Sequence, residues 1–232
     1  MTPPERGAPG DPAAPDDPAE PVQPGRDCPY CARLVAFRQE NRAQYPDFWN
    51  APVPSFGDTR ARLLIVGLAP GLKGANRTGR PFTGDYAGKL LYATLPRFGL
   101  AEGAYEERAD DDYRLIDCRV TNAVRCVPPE NKPNGEEIRT CRSHFLIEEF
   151  EALPRLKVIV ALGSIAHRTV VATLGLRQNR HPFGHGNWYD LPDGRVLGDS
   201  YHCSRYNTSY GKLTPEMFEA VFAEARRRLD AA

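Results

Sequence analysis

Four of the six cysteines stand where they could share one centre. Cys28 and Cys31 form C-x-x-C, a spacing that turns both sulfurs toward one point. Cys126 follows an apolar run, and Cys141 lies inside a helical pattern with 14 residues between them. The N-terminus has no apolar run behind its charges, so no secretory leader is expected and the cytoplasm is the expected location. A reducing compartment disfavours disulfides, so spaced thiols point to metal: an iron–sulfur cluster or a structural zinc. Buried free thiols are the plain alternative. The spacing of the second pair is not that of a zinc ribbon, and Cys118, inside an apolar run, reads as core.

A second set of residues could handle a small planar ligand. Residues 67–88 read GLAPGLKGANRTGRPFTGDYAG. The block follows a strand pattern and precedes a helical one, but it matches neither common phosphate-loop signature. Phe82 beside Asp85 in a glycine-rich turn suits holding a flat ring while stabilising positive charge next to it. Taken singly, each residue has a bland reading. Asp85 is a helix-start acid facing the dipole, Phe82 is core, and His202 is a satisfied buried histidine. His144, His167, His181 and His185 read as structural or exposed.

The elements that must carry these residues alternate. Short apolar runs at 62–66, 118–124, 157–162 and 195–199 read as strands. Helical patterns cover about 31–43, 87–98 and 134–153, another follows Ser164, and the last starts at Thr214-Pro215. Asn134 with Glu137 three residues on is a capping-box signature. The expectation is an α/β three-layer sandwich around a four-stranded parallel sheet. Residues 1–26 hold eight prolines and almost no large apolar side chain, so they read as a disordered tail ahead of one domain, 27–232. Lys+Arg and Asp+Glu balance at 30 each, which by itself argues against a nucleic-acid binder. Five acids and two bases fall in the first 26 residues, so the remainder has a slight basic excess. No apolar run is long enough to span a membrane.

Three blocks, in order, resemble the uracil-DNA glycosylase superfamily and look most like its family 5: residues 67–88, TNAVRCVPPENKP at 121–133, and YHCSRYNTSYGKLT at 201–214. Ala69 stands where family 4 has a glutamate, and an apolar residue there marks family 5. The resemblance implies a [4Fe–4S] cluster on Cys28, Cys31, Cys126 and Cys141, in a helix-rich flank away from the strand-end loops. It implies a base pocket at Gly67 and Ala69, with Phe82 stacking on a flipped base and Asn122 reading its polar edge. Asp85 would assist glycosidic cleavage, Asn131 would position water, and His202 would hydrogen-bond the pyrimidine carbonyl. Arg205, Tyr206 and Asn207 would enter the minor groove. The implied partner is uracil-containing or deaminated DNA, acted on by a monomer, with hypoxanthine and xanthine as further substrates. No lysine has a nucleophilic context, so strand cleavage is not expected. One departure is Cys203, where relatives carry proline, which frees the backbone beside His202. Rival functions are a non-enzymatic zinc module for nucleic acid and an iron–sulfur electron carrier.

Overall fold

The computed structural model describes residues 19–231. In chain order the elements are α1 (Ala32–Gln44), β1 (Leu63–Gly67), α2 (Ala75–Thr78), α3 (Tyr86–Thr94), β2 (Ala101–Glu102), β3 (Arg114–Leu115) and β4 (Cys118–Asn122). Then follow α4 (Gly135–Cys141), α5 (Ile147–Glu151), β5 (Val158–Leu162), α6 (Ser164–Thr173), β6 (Trp188–Asp190), β7 (Val196–Ser200), α7 (Arg205–Ser209) and α8 (Pro215–Asp230).

The main sheet has five strands in the order β4-β1-β5-β7-β6. Its four parallel strands are the four expected ones, each within two residues of the anticipated bounds. The fifth, β6, is antiparallel to β7 and corrects the four-stranded expectation. It is three residues long and only half-buried, too short to leave a periodic signal in sequence. A two-stranded antiparallel pair, β2–β3, lies apart from the main sheet.

The central strands are buried on both faces, so alternate residues serve different layers. Leu63 and Ile65 of β1 pack with Leu91 of α3 and with Phe218 and Phe222 of α8. Leu64 and Val66 point the other way, to Phe150 of α5 and Val170 of α6. The last helix begins as read: Thr214 Oγ accepts from Met217 N, and Pro215 takes the first turn, where its missing N–H costs nothing. The Asn134–Glu137 capping box also forms. The expected helix 134–153 is not uniform. It switches to a π turn over Arg142–Leu146, directly after Cys141, and ends at Glu151.

The first 18 residues of the expected tail lie outside the described residues. The next eight do not project away from the domain. Glu20 pairs with the Arg119 guanidinium, and the Gln23 amide oxygen accepts from Ser55 N at 3.0 Å. Both arginines beneath this segment are buried, Arg119 and Arg125 at 1% exposed, and both pair with Glu149, which is fully buried. Burial alone would raise the Glu149 pKa. The Arg125 and Arg119 charges, with hydrogen bonds from Arg119 and Ser55, hold it below the usual carboxylate range. Among the described residues no helix is long and apolar enough to cross a membrane.

Candidate active site and cysteine chamber

Strand order reverses at β1, which has β4 on one side and β5 on the other. In open parallel sheets such a reversal opens a crevice at the carboxyl ends of the strands. The register sets Gly67, the last residue of β1, beside Asn122, the last of β4. Gly67 has to be glycine, because a Cβ there would collide with the Phe82 ring and the Asn122 side chain. Phe82, Asn122, Asp85, Ala69 and His202 line a recess of about 240 Å³. The recess opens into a cleft of about 1370 Å³, whose walls add Asn131, Ser204 and Arg205.

Phe82 is buried and adopts φ 53°, a strained backbone for an aromatic residue. A set of residues that sequence reading missed holds it there. Tyr92 OH donates to Pro81 O at 2.5 Å and Tyr105 OH to Phe82 O at 3.3 Å, while Tyr105 OH accepts from Gly84 N at 3.2 Å. Beneath them Arg80 forms a buried two-pronged pair with Asp111 at 2.6 and 2.8 Å and lies over the Phe56 and Tyr92 rings. Two tyrosines and an ion pair thus fix one loop, and their sequence separations of 11 to 31 residues left no local signature.

Asp85 is the N-cap of α3, with Oδ1 accepting from Gly88 N at 3.1 Å. The helix-start reading holds, and the same side chain also lines the recess. Its second oxygen lies against Gly71 and Gly74, where any side chain would crowd it. Asn131 sits on the exposed rim in a left-handed conformation, φ 56°, next to Glu130 with the same twist. The rings of His202 and Phe82 are 6.0 Å apart and 25° from parallel. Burial pushes the His202 pKa below its usual value, with the Asp85 charge opposing the shift, so the ring is neutral near pH 7.

Of the residues expected to meet DNA, Tyr206 is 69% exposed and its ring packs 4.8 Å from that of Tyr210, tilted by 47°; Tyr210 is 78% exposed. Arg205 lies over the Tyr86 ring at the cleft mouth. Asn207 is engaged within its own loop, donating from Nδ2 to His202 O at 2.7 Å. Cys203, where proline was expected, is fully buried and donates from Sγ to Ala87 O at 3.4 Å. That bond ties the His202 loop to α3, the helix Asp85 caps.

Cys28, Cys31, Cys126 and Cys141 line one chamber of about 340 Å³, walled by Leu34, Val124 and Phe145. Burial first, then the neighbouring thiols, pushes Cys126 up to about 12 against the Arg38 charge; burial pushes Cys141 up to about 11 against the Arg125 charge and N–H; burial, then the Glu137 charge, raises Cys31. Two donors already face the sulfurs: Arg38 Nη1 lies 3.8 Å from Cys126 Sγ, and Arg125 N lies 3.3 Å from Cys141 Sγ. Arg38 is itself buried, and its Nε has no partner among the described residues. This donor set fits an anionic multi-thiolate centre. Among the described residues no three His, Cys, Asp or Glu are grouped to hold a metal ion. The expected separation from the strand-end loops is corrected. Cys126 lies four residues after Asn122, the end of β4, and Ala69 of the recess packs against the chamber's apolar cluster.

A profile of the Uracil DNA glycosylase superfamily matches residues 54–226. A Type-5 uracil-DNA glycosylase of Thermus thermophilus is 50% identical over 205 residues, covering 86% of this chain and 93% of that protein. A protein of the same name from Mycobacterium tuberculosis is 41% identical over 207 residues, 86% of this chain and 77% of that one. A Type-4 uracil-DNA glycosylase of Pyrobaculum aerophilum is 34% identical over 147 residues, 63% of this chain and 65% of its own.

Proposed function

Since the chain belongs to the uracil-DNA glycosylase superfamily, we propose that it hydrolyses the N-glycosidic bond of uracil in DNA, with the cleft residues in distinct roles. The observation that carries this is the convergence of Phe82, Asn122, Asp85 and His202 on one recess, with Asn131 on the rim above it. A base inside a duplex is unreachable, so the nucleotide is extruded into the recess. Phe82 stacks on the ring and Asn122 hydrogen-bonds its polar edge. As the bond from sugar to base breaks, its electron pair leaves on the base and the sugar becomes cationic. Asp85 stabilises the cation, and neutral His202 donates an N–H to the carbonyl that gains charge. Water held by Asn131 adds to the sugar carbon and gives up its proton to solvent. Without an amine nucleophile the strand stays intact. With alanine rather than an acid at position 69, the reading extends to hypoxanthine and xanthine. A monomer acting on uracil-containing or deaminated DNA is the proposed state. Arg205 and Tyr206 are its proposed DNA contacts.

Cys28, Cys31, Cys126 and Cys141 are the proposed holders of a [4Fe–4S] cluster. The group would supply a covalent clasp between α1, the exit of β4 and α4. Support comes from the apolar chamber, the two donors aimed at sulfur and the Type-4 and Type-5 relatives. A multinuclear centre also spreads its ligands wider than one zinc ion does. Iron and acid-labile sulfide in the purified protein are expected in equal amounts; zinc in their place would defeat the cluster. A labelled uracil oligonucleotide, scored for abasic product, tests the activity. Failure to form that product while DNA is bound would favour the non-enzymatic nucleic-acid module.

A further inference from the structure

His202 has no proline after it to stiffen its loop, yet it must aim a donor at one atom of a base. The backbone around it is fixed by side chains instead. On the far side, Asn207 Nδ2 donates to His202 O at 2.7 Å and Cys203 Sγ to Ala87 O. On the near side stands His185, whose Nδ1 accepts from Tyr201 N at 3.1 Å. Its ring stacks on the Tyr201 ring at 4.9 Å, 18° from parallel.

A backbone N–H can only donate, so Nδ1 of His185 must be unprotonated, and the neutral ring carries its proton on Nε2. Burial favours that state by lowering the His185 pKa, against a hydrogen bond to the backbone of Met217 at the start of α8. The loop bearing His185 is in turn pinned to β7. Gly186 N donates to Asp199 O at 2.8 Å and Gly184 N to Asp199 Oδ2 at 3.3 Å. His167 bridges Asp199 Oδ1 and His181 O, at 2.7 Å each. The β7 end is also tied to β5, where Gly163 N donates to Ser200 O at 2.8 Å.

We propose that His185 is a positioning residue for His202: by taking the Tyr201 N–H it fixes the peptide leading into His202 and so the direction of the His202 imidazole in the cleft. The inference rests on the proposed role of His202 in uracil excision. It assigns function to a side chain that touches neither base nor sugar. Leucine at 185 keeps bulk and removes the acceptor, leaving a part-buried N–H unpaired. Asparagine can offer its amide oxygen where Nδ1 stood.

With enzyme in excess over a uracil oligonucleotide, His185→Leu is expected to slow the single-turnover rate about 10- to 100-fold, as small misalignments do. Affinity for the same DNA should stay within about twofold, because phosphate contacts dominate it. His185→Asn is expected to recover most of the rate. In a His202→Ala background, His185→Leu should cost nothing further, since both act through one group. Three results would overturn the role: His185→Leu within about threefold of wild type, no rescue by asparagine, or full additivity with His202→Ala. If wild type itself leaves uracil in place, the reading of the cleft has failed. His185 is then judged without substrate, from the ¹⁵N resonances of the His202 ring. His185→Leu should shift or broaden them and His185→Asn should restore them; unmoved resonances would overturn the proposal.

Discussion

The cleft and the cysteine chamber leave the same end of the sheet and are built in opposite ways. The chamber is apolar and lies between α1, the exit of β4 and α4, and beside it is a buried charge network in which both Glu149 carboxylate oxygens are engaged. The cleft is open and made largely of loops, with left-handed backbone at Phe82 beneath it and at Glu130 and Asn131 on its rim. Strain and exposed polar groups are what a reacting site needs, and they contribute no stability. The difference teaches that chemistry and stability are separated by only a few residues of β4 exit. Substitutions on the two sides should separate as well.

The largest effect is expected at the chamber. Cys141→Ser should lose iron and destabilise the fold by about 3 kcal/mol or more, lowering Tm by roughly 10 °C, as loss of a structural metal does. Full iron with a shifted Tm, or lost iron with an unchanged Tm, would break the chamber side of the comparison. Close behind comes Glu149→Gln, which leaves Arg125 buried without an anion and Arg119 with only the half-exposed Glu20. Stripping one partner from such a pair costs about 3–5 kcal/mol. Chemical denaturation should show this loss while excision per folded molecule is unchanged.

At the cleft the pattern should invert. Asparagine caps helices as well as aspartate does, so Asp85→Asn preserves the bond from Gly88 N and changes only charge. The single-turnover rate should fall about 100- to 1000-fold, with Tm within about 2 °C of wild type. A rate within about threefold of wild type would shift the chemistry to Asn131 and His202. Asn131→Ala should slow the same step less severely, through misplaced water.

The pH dependence also divides the two regions. Because the His202 pKa is lowered, the folded state binds fewer protons than the unfolded chain just below the ordinary histidine value. Its contribution to stability is full above about pH 6.5 and is lost as pH falls through the lower, folded value. Excision should therefore be flat from neutral pH upward and decline only in acid. The smallest effect is expected at the N-terminus. Removal of residues 1–18 should change neither Tm nor rate. Removal through residue 24 should lower Tm by a few degrees, about 1 kcal/mol, by stripping Glu20 and Gln23 from the arginine network, with the rate unmoved.

By itself the sequence determined what local patterns carry. Four parallel strands, the Asn134–Glu137 box, the Thr214-Pro215 helix start and the ordered blocks around Asp85, Asn122 and His202 were all legible, because each arises within a few residues of chain. It also named the four cysteines, though not that their chamber shares a wall with the recess at Ala69. Only tertiary structure decided the rest. The short edge strand β6 exists because β7 offers it a partner, and residues 19–26 are held because Arg119 and Ser55 lie beneath them. Tyr92 and Tyr105 hold Phe82, and His185 holds Tyr201, across long separations. A hydrogen bond between residues distant in sequence depends on where the sheet brings their backbones, and no local period encodes that.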